Sequence, residues 1–84
     1  MITVLYFASL RETVGTSREQ VALPGQGATV ATVVESLRSR DAPWSAAFAP
    51  GRAWRVAVNQ RMASLATPVK PGDEVAFFPP VTGG

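Results

Sequence analysis

The 84-residue sequence predicts an α+β fold in which one main helix packs on one face of a mixed sheet of about five strands. Three observations support this prediction. The chain begins and ends with β-branched and aromatic segments, residues 2–8 and 73–78. Between them, residues 30–37 repeat apolar side chains at helical spacing. The hydrophobic fraction of 46% is high enough for a packed core, and the length allows a single domain.

The first strand is predicted over residues 2–8. Because side chains alternate along a strand, Ile2, Val4 and Tyr6 share one face, which we expect the helix to cover. The opposite face carries Phe7, which we expect to be partly exposed.

The main helix is predicted from the N-cap residue Thr29 to about Arg40. Its buried stripe consists of Val30, Val33, Val34 and Leu37. Before it, residues 9–14 favour one or two helical turns that end at Gly15. Residues 18–23 predict a second strand, antiparallel to the first because the connection between them is short.

After the helix, residues 43–48 suggest a short turn whose aromatic side chains cover one end of the core. A strand over residues 52–59 follows, with Trp54, Val56 and Val58 on one face. Asn59 is a turn candidate because asparagine tolerates left-handed φ, and residues 62–65 form a brief strand.

The last strand is predicted over residues 73–78, after a proline–glycine turn. We assign Val75 and Phe77 to the core, which places Ala76 and Phe78 on the other face. The first and last strands are expected to be parallel neighbours, because both are strongly apolar and a single helix must cover them together.

The composition argues against a self-contained enzyme. The chain has no cysteine and no histidine, the best side chains for nucleophilic and acid–base work near neutral pH. Its six carboxylates are scattered apart from Asp73 and Glu74, which point to opposite faces of a strand. The sequence predicts no metal site built on thiolates and no bound cofactor.

The charge pattern indicates neither nucleic-acid nor membrane binding. A net charge of +2 is mild, and the eight basic residues form no run and are not interleaved with aromatic residues. No apolar stretch approaches the length of a membrane span. A cytoplasmic location is the default expectation.

The end of the chain is its most distinctive stretch, Phe77-Phe78-Pro79-Pro80-Val81-Thr82-Gly83-Gly84. We expect a domain over residues 1–78 and a flexible tail over residues 79–84, since two prolines favour an extended path and glycine has no Cβ. With no cysteine or histidine elsewhere, the terminal carboxylate is the leading candidate for chemistry.

The predicted order of elements is that of the β-grasp fold of ubiquitin-like proteins, and the motifs point to one family in particular. They are Val4-Leu5-Tyr6-Phe7-Ala8 with Arg11-Glu12 and Val14-Gly15, then Ala57-Val58-Asn59-Gln60, then the contiguous segment from Gly72 to Gly84. On these residues the chain resembles the small subunit of molybdopterin synthase, the MoaD type of ubiquitin-like sulfur carrier.

The resemblance implies a sulfur-donating rather than a catalytic subunit of a heterotetrameric synthase. In such proteins a ubiquitin-activating-type enzyme (MoeB-like) uses ATP to adenylate the C-terminal glycine, here Gly84. Sulfur from a separate donor then converts it to a thiocarboxylate. The tail inserts into the large subunit (MoaE-like) and gives its sulfur to the cyclic pyranopterin precursor of molybdopterin.

The resemblance also implies roles for single residues. Gly84 carries the reacting carbon, Gly83 leaves the approach unhindered, and Val81 and Thr82 position the tail. The partner-binding candidates outside the core are Phe7, Met62 and Phe78, together with Arg11, which is expected to pair with an acidic residue of a partner.

Three other functions remain open from the residues alone. Sulfur carriers for thiamine synthesis or tRNA thiolation also end in Gly-Gly on a β-grasp fold. A ubiquitin-like modifier would join lysines of other proteins through Gly84. A passive interaction module would have an inert tail.

Overall fold

The computed structural model describes residues 1–23 and 25–80, in which one mixed sheet carries the longest helix across one face. The strands are β1 (Ile2–Tyr6), β2 (Arg18–Val21), β3 (Arg55–Val58), β4 (Arg61–Met62) and β5 (Glu74–Phe78). The helices are α1 (Ala8–Val14), α2 (Val30–Arg38) and α3 (Trp44–Ala47). The predicted α+β class and five-stranded sheet are confirmed.

The order of strands across the sheet is β2-β1-β5-β3-β4. β1 and β5 run parallel at the centre, with Tyr6 beside Phe77, as predicted for the first and last strands. β2 pairs antiparallel with β1, and β3 pairs antiparallel with both β5 and β4. The two ends of the described chain therefore lie side by side in the middle of the sheet.

The core lies between the sheet and α2. Ile2, Val4, Tyr6, Val75 and Phe77 point towards the helix and are at most 1% exposed. The predicted helical stripe of Val30, Val33, Val34 and Leu37 is buried against them. Each such side chain contributes about 1.5–3 kcal/mol when it is removed from water, so these two faces supply most of the driving force for folding.

Several boundaries differ from the sequence prediction for local reasons. The helix α2 ends at Arg38, two residues before the predicted end, and Arg40 instead turns its side chain towards Trp44. β4 stops at Met62 because the chain turns at Ser64, where Thr67 N–H donates to the Ser64 carbonyl at 3.1 Å. β1 stops at Tyr6 because Ala8 adopts a φ of 52° as α1 begins.

The hairpin between β3 and β4 is attached to the start of β5. Asn59 and Gln60 have φ values of 50° and 68°, which suits a two-residue type I′ turn. The Asn59 side chain donates to Asp73 Oδ1 and accepts from the Glu74 N–H, both at 3.0 Å. The hydrogen bond from Asn59, with a second from the Lys70 N–H, lowers the pKa of the Asp73 carboxyl. These bonds help to set the register of β5.

A polar network closes the end of the core beside α3. The buried Tyr6 hydroxyl donates to Glu19 Oε2 at 2.8 Å and accepts from Trp44 Nε1–H at 3.1 Å. Arg40 donates to both Glu19 carboxylate oxygens at 3.0 Å and lies over the Trp44 ring, 4.9 Å from its centroid. The network joins β1, β2 and the segment after α2.

Replacing Tyr6 with Phe should lower the free energy of unfolding by about 1–2 kcal/mol. The ring volume is kept, but Trp44 Nε1–H loses its acceptor and Glu19 loses a donor. Urea denaturation at pH 7 measures the change, and exposed Thr13→Ala on α1 serves as the control. An unchanged midpoint in Tyr6→Phe would show that the network adds nothing to stability.

The same network predicts a loss of stability in alkali. Burial, with the hydrogen bond to Glu19, raises the pKa of Tyr6 above its ordinary value of 10.0. The folded state therefore holds the phenol proton more tightly than the unfolded state does. This contribution to stability is full below pH 10 and declines as the pH rises above it. The free energy of unfolding, measured by urea titration at a series of pH values from 9 upward, should decrease less steeply with pH for Tyr6→Phe than for the unmodified chain.

Candidate functional site

The last strand leaves the sheet from a tightly packed aromatic cluster. Phe77 is fully buried, and its ring centroid lies 5.0 Å from Phe48, 5.4 Å from Trp54 and 6.5 Å from Tyr6. The first two contacts are edge-to-face, a favourable aromatic geometry. The prediction that Phe77 faces the core is confirmed, and Trp54 packs against the core while partly buried. The start of the tail is therefore held at the centre of the sheet.

Pro79 and Pro80 follow β5 and are half-buried. The predicted tail residues Val81, Thr82, Gly83 and Gly84 lie outside the described residues, so their roles stay predictions. The division into a domain over 1–78 and a tail over 79–84 also stays a prediction, although β5 does end at Phe78.

The sheet face away from α2 carries a group of neighbouring apolar residues, of which Phe7 and Met62 are exposed. The pairing places Leu5 beside Ala76, Ala76 beside Ala57, and Ala57 beside Met62. The next row contains Phe78, opposite Arg55, and Phe7, whose N–H donates to the Phe77 carbonyl at 3.1 Å. We call this surface the outer patch; it consists of Leu5, Phe7, Ala57, Met62, Ala76 and Phe78.

The exposure of the outer patch is uneven. Met62 is 64% and Phe7 46% exposed, whereas Phe78 is half-buried between its neighbours. The expectation that Phe7 and Met62 lie outside the core is confirmed, and their partner-binding role stays a prediction. Arg11 is exposed in the last turn of α1. Exposed apolar area of this kind commonly marks a protein-binding surface.

Sequence reasoning missed three members of the outer patch. Ala57 and Ala76 lie at its centre and are 8% and 7% exposed, and Leu5 is paired with Ala76. Alternation places Ala76 on this face, but only the pairing of β3 with β4 and β5 brings Met62 close to it.

Within 1–23 and 25–80, no three histidine, cysteine, aspartate or glutamate side chains come together as metal ligands. No helix in this part of the chain is long and apolar enough to span a membrane.

Phe77→Ala and Met62→Ala should show that the core contributes to stability and that the exposed part of the outer patch does not. Phe77→Ala should lower the free energy of unfolding by about 3–5 kcal/mol, because it opens a cavity in the aromatic cluster. Met62→Ala should change it by no more than about 0.5 kcal/mol, because that side chain is mostly in solvent. Denaturant titrations measure both. Similar losses in the two variants would contradict the separation of the two faces.

Comparison with known proteins gives a consistent result. The family model described as "ThiS family" matches residues 4–84. The chain is 44% identical over 84 residues to the molybdopterin synthase sulfur carrier subunit of Escherichia coli, and 43% identical to that of Haemophilus influenzae. Both alignments cover all of this chain and all of the relative.

Two solved structures extend the comparison. The small archaeal modifier protein 1 of Haloferax volcanii superposes with a TM-score of 0.71 at 26% identity, covering 95% of this chain and 97% of that one. The BexX/CysO complex of Amycolatopsis orientalis contains a chain that matches with a TM-score of 0.73 at 28% identity, with both chains fully covered. The family match extends over nearly the whole chain and agrees with the β-grasp order of the strands. This chain belongs to the ThiS family.

Proposed function

We propose that this chain is the sulfur carrier subunit of a molybdopterin synthase, with Gly84 as the residue that carries the sulfur. The observation that carries the proposal is end-to-end identity of 44% with a relative of that name. The absence of cysteine supports it, because the chain then has no thiol of its own to carry sulfur. The carrier donates sulfur but does not catalyse the reaction itself.

The chemistry requires activation from outside. A C-terminal carboxylate is ionised at neutral pH and is a poor electrophile. A separate adenylating enzyme joins it to AMP from ATP, with release of pyrophosphate. A sulfur nucleophile from a donor then displaces AMP and leaves the thiocarboxylate. Gly83 and Gly84 have no side chains beyond hydrogen, which leaves the acyl carbon open to both enzymes.

We further propose that the outer patch binds the large subunit and the adenylating enzyme in turn. Two observations support this: Phe7 and Met62 are exposed, and Phe78 joins the patch to the start of the tail. In this proposal Arg11, which is exposed on α1, pairs with an acidic residue of a partner, and Val81 and Thr82 position the tail in the partner's channel. The match to the chain in the Amycolatopsis complex agrees with a carrier that works in complexes.

Loading of Gly84 is the first test. The chain is incubated with an adenylating enzyme of the E. coli type, ATP and a sulfide donor, and its intact mass is recorded. We expect the mass gain of one oxygen-to-sulfur exchange, located at Gly84 by fragmentation. A variant that lacks Gly84 should stay unmodified and keep its unfolding midpoint. Failure of the full chain to gain sulfur would contradict the proposal.

Pathway and docking need separate measurements. Addition of the loaded chain to the large subunit and the cyclic pyranopterin precursor should yield molybdopterin; no product would favour thiamine or tRNA thiolation instead.

Phe7→Asp and Met62→Glu should each raise the Kd for the large subunit at least about tenfold, because a charge would be buried in an apolar interface. Ala22→Glu is the matched control; Ala22 is exposed just beyond β2, at the opposite sheet edge from β4. We expect its Kd to be unchanged. If all three variants changed the Kd equally, the outer patch would not be the binding surface.

A protein-modifying role is the second candidate, favoured by the match to the archaeal modifier protein. It predicts that Gly84 forms isopeptide bonds with lysines of other proteins. To test it, a tagged chain is purified from cells and the proteins joined to it are identified by mass spectrometry. Recovery of the unconjugated chain alone would argue against this role.

A further inference from the structure

A groove of about 670 Å³ lies between α2 and the edge of the sheet that β3 and β4 form. It is lined by side chains of α2, by residues 48–56 and by residues 62–65. The volume is within the range of about 300–1,000 Å³ that is usual for binding sites. The sulfur transfer proposed above makes no use of this groove.

The sheet edge at the groove is open beside Trp54. Backbone groups of β3 point alternately to its two neighbours, and the Val56 C=O points away from β5 and accepts from the Ala63 N–H at 3.0 Å. Beyond Ala63 the chain turns away at Ser64. The Trp54 side chain packs against the core on the same face as Val56, so the same alternation directs the Trp54 N–H and C=O to this open side. In the described part of the chain, these two groups form no backbone hydrogen bond, and such an edge can accept an added strand.

Exposed apolar side chains lie at the same groove. Met62 is 64% and Leu65 52% exposed, and both line it beside the buried Val34 and Val56. The Leu65 carbonyl accepts from the Ala31 N–H at 2.9 Å, which ties the Leu65 backbone to the start of α2. Its side chain is therefore held at the groove while it remains mostly in solvent. Exposed apolar side chains grouped in this way indicate a site for an apolar side chain of a partner.

The groove is also positively charged. Three arginines line it, Arg38, Arg52 and Arg55, against one carboxylate, that of Glu35. Glu35 is paired with Arg38. Arg52 and Arg55 are exposed and form no ion pair with any residue that the structure describes. Because these two arginines flank Trp54 in the sequence, a strand added beside Trp54 would place its own side chains near them, and carboxylates are the complementary charge.

We propose that this groove binds an extended acidic segment of a partner protein. The segment adds a strand beside Trp54 and places an apolar side chain against Met62 and Leu65. Its carboxylates pair with Arg52 and Arg55. In this mode of recognition the backbone hydrogen bonds supply affinity, and the alternate side chains supply specificity. The inference goes beyond the proposed function, since it requires neither sulfur nor an adenylating enzyme.

A synthetic peptide tests the proposal on the chain alone. The probe is acetyl-Asp-Glu-Leu-Asp-Val-Glu-Leu-Asp-amide, and the matched peptide carries asparagine or glutamine in place of every acidic residue. In an NMR titration the acidic probe should cause saturable shifts of the Trp54, Arg55 and Leu65 amide signals. Hydrogen exchange of the Trp54 N–H should slow at least about tenfold at saturation, because the amide becomes hydrogen-bonded. The neutral peptide should bind at least about fourfold more weakly, since it lacks two exposed ion pairs.

Two variants separate the apolar and the charged contacts. Leu65→Asp should raise the Kd of the acidic probe at least about tenfold, whereas Ala22→Asp, at the opposite sheet edge, should leave it unchanged. Arg52→Gln should raise this Kd by about twofold to fivefold and leave that of the neutral peptide unchanged. Arg18→Gln, which removes an exposed charge on β2, is its control. All four side chains are exposed, so the unfolding midpoints should be kept.

Four results would overturn the proposal. They are no saturable binding of the acidic probe, equal binding of the neutral peptide, shifts confined to β2 or the outer patch, and unchanged exchange of the Trp54 N–H in the saturated complex. A dimer in sedimentation equilibrium that Leu65→Asp dissociates would assign the groove to a second copy of the chain instead. Because the chain is measured alone, these outcomes are independent of whether Gly84 gains sulfur.

Discussion

The parallel pairing of β1 with β5 is the constraint on which the rest of this structure depends. It joins the first and last strands at the centre of the sheet, with Tyr6 beside Phe77, and every other element is arranged around this pair. A single helix of nine residues can cover the core only if the most apolar strands are adjacent. The same pairing makes the tail begin at the middle of the sheet rather than at an edge.

The alternation of side chains gives this central pair two separate uses. Tyr6 and Phe77 point inward and are buried, while Phe7 and Phe78 point outward into the outer patch. Because stability comes from the inner residues, the outer residues can be selected for binding without loss of the fold. The aromatic cluster around Phe77 also fixes the position at which β5 ends.

Two sets of hydrogen bonds hold this arrangement in register at its ends. The Asn59 side chain ties the β3–β4 hairpin to Asp73 and Glu74 at the start of β5. At the other end, Glu19 and Trp44 satisfy the buried Tyr6 hydroxyl, and Arg40 neutralises Glu19. The first set shows what Asn59 and Asp73 do in the fold: their side chains tie the hairpin to the start of β5. The Asn59 and Asp73 side chains bond one another, and they also accept from the Glu74 and Lys70 backbone N–H groups.

The sequence by itself determined the inner faces of the strands, the apolar stripe of α2, the Asn59 turn and the lack of any thiol or imidazole. These are local properties, readable from alternation, periodicity and composition. Tertiary structure alone decided the rest, because contacts between distant residues depend on strand register and on the paths of loops. It placed Met62 beside Ala57, brought Arg40 to Glu19, and set Arg52 at a groove beside Pro80. The candidate site was thus predictable as a tail and a few outward aromatic or sulfur-containing residues, whereas the way these residues come together on one surface was not.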